Sequence, residues 1–240
     1  MLRAVTFDAT GTLFHAPRRG AVYAEVLGRH GVAVAPAEAE RLIRLVWQEM
    51  GCRADPSRDR FADNPDGARG WWGRFLERVC EHLGAPTPSP FAAAELYHRF
   101  GAAEAWDVYP EVPQVLAALR ARGLKLAVVA NWDERLPPLL ADLGLADHFE
   151  TVVTSSQVGA EKPDPSIFNT ALARLGIDPS RALHIGDRQL EDVEGAQAAG
   201  LHALRLDRTH LTPHSLHDLS SLPELLASGR ARWGAAAGQL

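Results

Sequence analysis

Short, unbroken apolar runs alternate with stretches of helical period along most of the chain, and this alternation narrows the possible folds sharply. Leu2–Phe7, Leu124–Ala130, Phe149–Thr154, Ala182–Ile185 and Leu201–Leu206 read as strands. From Leu126 to Ala130 the run is continuous rather than alternating, as a strand covered on both faces of a parallel sheet requires. Between the strands the apolar period is near 3.6. Val112, Val115, Leu116 and Leu119 form one stripe, ended by Gly123. Ile167, Phe168, Ala171, Leu172 and Leu175 form another, opened by Asp164 as cap with Pro165 at the first helical position and closed by Gly176. Repeated strand–helix–strand units predict an α/β fold with a doubly wound parallel, Rossmann-like sheet.

The pattern breaks between about residues 15 and 107. Helices are expected there at Ala21–His30, Ala37–Cys52, Gly70–Leu83 and Phe91–Gly101, with a polar loop over Ala54–Gly67. The expected organisation is a core of residues 1–15 and 107–229, a helical cap of 16–106 inserted after the first strand, and a tail of 230–240. An insertion at that point is expected over the carboxyl edge of the sheet, where such folds bind ligands, so a lid is the economical reading. A partner-binding module is the alternative.

Composition narrows the function. With 25 basic and 30 acidic residues the net charge is -5, and no block of like charge stands out, which argues against nucleic acid or a membrane surface as partner. Two cysteines, Cys52 and Cys80, make neither a disulfide framework nor a thiolate metal cage. The apolar amino-terminal run is too short for a signal peptide and runs into Asp8, so a cytoplasmic protein is expected. Of the 25 basic residues only Lys125 and Lys162 are lysine, which makes a lysine inside a motif noteworthy.

Four stretches at predicted strand ends could carry chemistry. In Phe7-Asp8-Ala9-Thr10-Gly11-Thr12-Leu13, a carboxylate ends a buried strand beside a glycine turn, where it can serve as nucleophile or hard-metal ligand. An Asx-turn leaving the strand is the plainer reading. Ala130-Asn131-Trp132-Asp133 closes the second strand, and Asn131 is either a ligand-binding amide or a helix cap. In Gly159-Ala160-Glu161-Lys162-Pro163-Asp164-Pro165, two prolines give Lys162 a fixed aim, and a compact ammonium suits a carboxylate and a phosphoryl oxygen together. His184-Ile185-Gly186-Asp187 ends another strand, with Asp192 five residues after Asp187 in what reads as the first turn of a helix. Two carboxylates so placed repel one another unless a cation intervenes, and with Asp8 they form an oxygen-rich site suited to Mg²⁺.

The order Asp-x-Thr-Gly-Thr, Asn, Lys-Pro, Gly-Asp-x₄-Asp resembles the haloacid dehalogenase superfamily over nearly the whole chain. Ala130–Leu136 and the Trp71-Trp72 pair resemble its rhythmically-expressed-gene-two-like members. The resemblance implies a Mg²⁺-dependent phosphatase acting on a small phosphorylated compound through an aspartyl-phosphate at Asp8. It implies Lys162 as charge-balancing catalytic and phosphate-binding residue, Asn131 and the turn amides of Ala9 and Thr10 as phosphate ligands, and Asp8, the Thr10 carbonyl, Asp187 and Asp192 around the metal. Two positions depart from the family. Thr10 stands where its phosphatases carry the Asp that protonates the leaving group, an assistance worth about 10²–10⁴-fold, so slow turnover is expected. Ala130 replaces the usual Ser or Thr. A catalytically impaired protein that binds a phosphometabolite or a protein partner is therefore the alternative. A dehalogenase is disfavoured, because dehalogenases of the superfamily work without metal and lack the acidic position that Asp187 fills. His15 could stand in as a general acid, although a hinge-region polar residue is the simpler reading. His210, His214 and His217 read as a solvated loop, and Trp71-Trp72 as core of the insertion.

Overall fold

The computed structural model describes residues 1–51, 55–62, 64–211 and 215–228. The expected tail, His214 and Cys52 lie outside them. The chain divides into two compact units, one of Met1–His15 together with the chain from Val108 onward, the other of Ala16–Asp107.

The first unit is built on a five-stranded sheet. Its strands are β1 (Ala4–Phe7), β2 (Lys125–Ala130), β3 (Thr151–Thr154), β4 (Ala182–Gly186) and β5 (His202–Arg205). They lie in the order β3-β2-β1-β4-β5, and every neighbouring pair is parallel. The strands are shorter at their starts than the apolar runs suggest, because Leu2, Leu124 and Phe149 precede the first ladder bonds. β1 is wholly buried, as a central parallel strand must be. The stripe 112–119 becomes the buried face of a helix over Val112–Ala121. The stripe 167–175 becomes that of Pro165–Leu175. The latter opens on the Asp164 carboxylate, which accepts from the Ser166 N–H, and ends on Gly176 at a positive φ of 66°. Ile167, Phe168, Ala171, Leu172 and Leu175 join Ala127, Val129, Val153 and Ala182 in one core.

Among its described residues the second unit holds four principal helices, Arg19–Arg29, Pro36–Gly51, Gly67–His82 and Pro90–Arg99, each within three residues of its expected bounds. They enclose their own core, which includes Val26, Leu42, Val46, Phe75, Leu76 and Val79. Trp71 is buried there, edge-on to Trp47 and Phe61 and stacked on Phe75, and Trp72 packs against the same cluster.

Register positions the candidate site. Phe7 lies opposite Val128 on one side and Ile185 on the other. Residues 8, 131 and 187 therefore follow the carboxyl ends of three adjacent strands.

Candidate active site

Asp8 takes up the first position beyond β1, where its N–H still donates to the Ile185 carbonyl at 2.9 Å. The chain then turns sharply. The Leu13 N–H donates to the Ala9 carbonyl at 2.8 Å and the Gly11 N–H to the Phe14 carbonyl at 2.8 Å. Gly11 holds a φ of 90°, and a Cβ there would lie 2.8 Å from Oδ2 of Asp187. Glycine thus serves twice, in backbone conformation and in letting a carboxylate approach the turn.

Lys162 is the centre of the site. Its Nζ donates to Oδ1 of Asp8 and to Oδ1 of Asp192, both at 2.6 Å, with the side chain almost wholly buried. Asn131 fixes the lysine's backbone. Its Oδ1 accepts from the Lys162 N–H at 2.7 Å, and its Nδ2 donates to the Lys162 carbonyl at 3.0 Å. Asn131 is therefore no helix cap. It ties the end of β2 to the lysine loop and keeps one further amide hydrogen.

Asp192 is not in an ordinary first helical turn as expected. Residues Gln189–Glu194 form a π-helical turn, in which the Val193 N–H reaches back to the Arg188 carbonyl. The wider turn brings the carboxylate under the end of β4. There a Cβ on Gly186 would lie 2.2 Å from its Cγ. Both Asp192 oxygens are engaged: Oδ1 by Lys162 and by Nε2 of His184 at 3.2 Å, Oδ2 by the Arg188 N–H at 2.9 Å.

Electrostatics follow from these contacts. Burial opposes ionisation of Asp192, but the Lys162 charge and the His184 N–H outweigh it and hold the carboxyl well below the usual range. Burial would likewise lower Lys162, and the charges of Asp192 and Asp8 overcome it, keeping the ammonium charged. His184, wholly buried, is pushed down by desolvation and is neutral. With Nε2–H donated to Asp192, its Nδ1 accepts from Thr6 Oγ1 at 2.8 Å. Asp8 is raised, chiefly by burial and against the pull of Lys162. Asp187 is pushed up to about 7 by burial and by the negative charges of Asp8 and Asp192.

The carboxylates of Asp8, Asp187 and Asp192 offer oxygens that all lie within 4.8 Å of one another. Among the described residues they are the one cluster of three or more such side chains able to hold a metal. The fit to a hard divalent cation is good. The donors are all oxygen, Gly11 leaves room beside Asp187, and Asp187 is raised by the kind of repulsion a cation relieves. Asp192 accepts hydrogen bonds at both oxygens, whereas Asp8 accepts from Lys162 at Oδ1, and all three carboxylates offer an oxygen to the cluster.

A family model of haloacid dehalogenase-like hydrolases matches residues 2–200. The chain belongs to the haloacid dehalogenase-like hydrolases. Within the family it is 33% identical to haloacid dehalogenase-like hydrolase domain-containing protein 3 of Mus musculus, over 95% of this chain and 96% of the relative. That relative is of the kind resembled by residues 130–136 and the Trp71-Trp72 pair. It is 30% identical to a glyceraldehyde 3-phosphate phosphatase of Methanopyrus kandleri, over 87% of this chain and 85% of the relative. The crystal structure of a haloacid dehalogenase-like phosphatase from Thermococcus onnurineus superposes with a TM-score of 0.65 at 26% identity, covering 94% of this chain and 98% of that one.

Several features of the site escaped the sequence. His184 and Thr6 read only as strand residues, yet they orient Asp192. Arg208 was not singled out. Its guanidinium lies over the Tyr109 ring at 3.4 Å and donates to the Gly11 carbonyl at 3.2 Å, to the Thr12 carbonyl at 2.8 Å and to Glu111 at 2.8 Å, bracing the turn after Asp8. The Thr12 hydroxyl is buried without a hydrogen-bond partner among the described residues. His15 is stacked on Tyr109 at 4.6 Å, and His210 on His217 at 4.3 Å, and neither pair joins the acidic cluster.

Proposed function

We propose that this hydrolase is a phosphatase that removes phosphate from a small phosphorylated compound through an aspartyl-phosphate on Asp8, with Mg²⁺ as cofactor. The observation that carries the reading is the Lys162 ammonium bonded at 2.6 Å to both Asp8 and Asp192, with the Asp187 carboxylate in the same cluster. A phosphatase is among its similar relatives.

In this reading an oxygen of Asp8 attacks phosphorus, and water later cleaves the acyl phosphate to regenerate the carboxylate. Lys162 neutralises Asp8 and a phosphoryl oxygen. The remaining Asn131 hydrogen and the Ala9 and Thr10 amides donate to the other oxygens. Mg²⁺ would be held by Asp8, Asp187 and the Thr10 carbonyl, and when bound it supplies positive charge against the dianionic ester. Asp192 acts on the group from behind, by fixing Lys162. His184 donates a hydrogen bond to Asp192 and keeps that carboxylate ionised and aimed.

The test is turnover of a panel of phosphate esters with Mg²⁺ and with chelator, in the wild type and in Asp8→Asn. Mg²⁺-dependent release of phosphate that Asp8→Asn abolishes is expected. Equal rates in the two proteins would remove Asp8 from the mechanism. The replacement of an acid by Thr10 favours a second reading, a protein that binds a phosphometabolite or a protein partner without turning it over. It predicts ligand binding by calorimetry and no phosphate release across the panel.

A further inference from the structure

Thr10 sits in the turn two residues after Asp8 and is exposed. Its hydroxyl is not left to rotate. The indole Nε1–H of Trp132 donates to Thr10 Oγ1 at 3.0 Å, from the end of the adjacent strand β2. Trp132 is itself pinned. Its carbonyl accepts from Ser155 Oγ and from the Ser156 N–H, both at 3.2 Å. Its ring meets Phe14 edge-on at 6.2 Å. On either side, Asn131 is bonded to the Lys162 backbone and Asp133 is paired with Arg135 at 2.6 Å. The donor is therefore as fixed as the sheet.

A hydroxyl has one hydrogen and two acceptor sites. When an indole N–H fills an acceptor site, the O–H must point elsewhere, and donation to the oxygen strengthens the hydroxyl as a donor in turn. Lys162 approaches Asp8 from the interior, and Asp187 faces Gly11. Thr10 is exposed while Asp8 and Lys162 are buried, so its O–H remains available to a ligand that meets Asp8 from solvent.

Resting on the phosphatase reading above, we infer that Trp132 is a positioning residue for Thr10, and that the Thr10 hydroxyl donates a hydrogen bond to the ester oxygen that leaves phosphorus. The bond from Asp8 to phosphorus forms as the bond from phosphorus to the ester oxygen breaks. The electron pair stays on that oxygen, which departs as an alkoxide or phenoxide and takes its proton from water. Thr10 keeps its own proton throughout. Such a donor helps poor leaving groups and is dispensable for good ones.

The experiment compares wild type, Trp132→Phe, Thr10→Val, Thr10→Ser and the Trp132→Phe/Thr10→Val double variant. Each is assayed on phenyl phosphate and on 4-nitrophenyl phosphate, and titrated calorimetrically with orthovanadate in the presence of Mg²⁺. On phenyl phosphate, Trp132→Phe and Thr10→Val should each lower kcat about threefold to tenfold, the range of one neutral hydrogen bond, with little change in KM. The double variant should be no slower than Thr10→Val, Thr10→Ser should be faster than Thr10→Val, and each loss should be smaller on 4-nitrophenyl phosphate than on phenyl phosphate. Vanadate affinity should fall in the same non-additive pattern. Equal losses on both esters, multiplying effects, or a wild-type Trp132→Phe would overturn the inference. A wild type inactive on both esters speaks against the phosphatase reading. In that case the vanadate pattern decides for the hydrogen-bond relay, and its absence, or no vanadate binding, decides against it.

Discussion

A buried lysine between two carboxylates holds one of them, Asp192, ionised in spite of burial. Asp192, bonded to Lys162, His184 and the Arg188 N–H, is ionised, whereas in Asp187 burial and the repulsion of Asp8 and Asp192 outweigh the attraction of Arg188 and Lys162 and raise it from 3.8 to about 7. A carboxyl raised in the folded state stabilises the metal-free protein fully below 3.8, and that contribution is lost as pH rises through about 7. A cation that needs the ionised form competes with the proton. Mg²⁺ should therefore raise the melting temperature more at about pH 8 than at about pH 6, and Asp187→Asn should abolish the difference. Differential scanning fluorimetry with and without the metal reads this directly. Thr10 offers a second handle. Thr10→Asp supplies a group that can transfer a proton, so turnover of an unactivated alkyl phosphate should rise by at least about tenfold, within the range of general acid catalysis. An unchanged rate would show that the missing acid is not what limits the step.

At the level of elements, the site depends on how closely backbone can approach carboxylate at the ends of β1, β2 and β4. Gly186 is the tightest of these approaches, with Asp192 Cγ 2.2 Å from where a Cβ would stand. Gly186→Ala must push Asp192 off Lys162 or bend the π-helical turn. It should abolish phosphate release and lower stability by about 1–3 kcal/mol, the range of overpacking, as read by urea unfolding. Strands and helices were legible because burial on both faces leaves continuous runs and burial on one face leaves a 3.6 period, as in Leu126–Ala130 and in Ile167–Leu175. Lys162 was legible through its flanking prolines, and the carboxylates through their places at strand ends. The π-helical turn was not, since one extra residue per turn leaves no periodic trace in six residues. Nor were Trp132–Thr10, His184–Asp192 or Arg208 with the turn after Asp8. Those contacts join residues from different turns and elements, and which side chains meet depends on how these are placed rather than on local pattern.

At the scale of the whole molecule each unit has apolar core of its own, as among the helices of Ala16–Asp107 and between β2 and the helix Pro165–Leu175. Phe75 is fully buried in the former, stacked on Trp71. Phe75→Ala should destabilise the protein by about 3–5 kcal/mol. The acidic cluster draws all its residues from the other unit, so calorimetric Mg²⁺ affinity of the folded variant should match wild type. A large loss of affinity would show that the metal site is not self-contained. No helix among the described residues is long and apolar enough to cross a membrane. The central claim, that Asp8 accepts a phosphoryl group, is tested most directly by trapping it. The protein is incubated with acetyl phosphate and Mg²⁺, quenched in acid, digested and mapped by mass spectrometry. One phosphoryl group on the peptide at Asp8, lost in Asp8→Asn and with chelator, is the expected result. A phosphoryl group on another residue, or no adduct alongside turnover that survives Asp8→Asn, would contradict it.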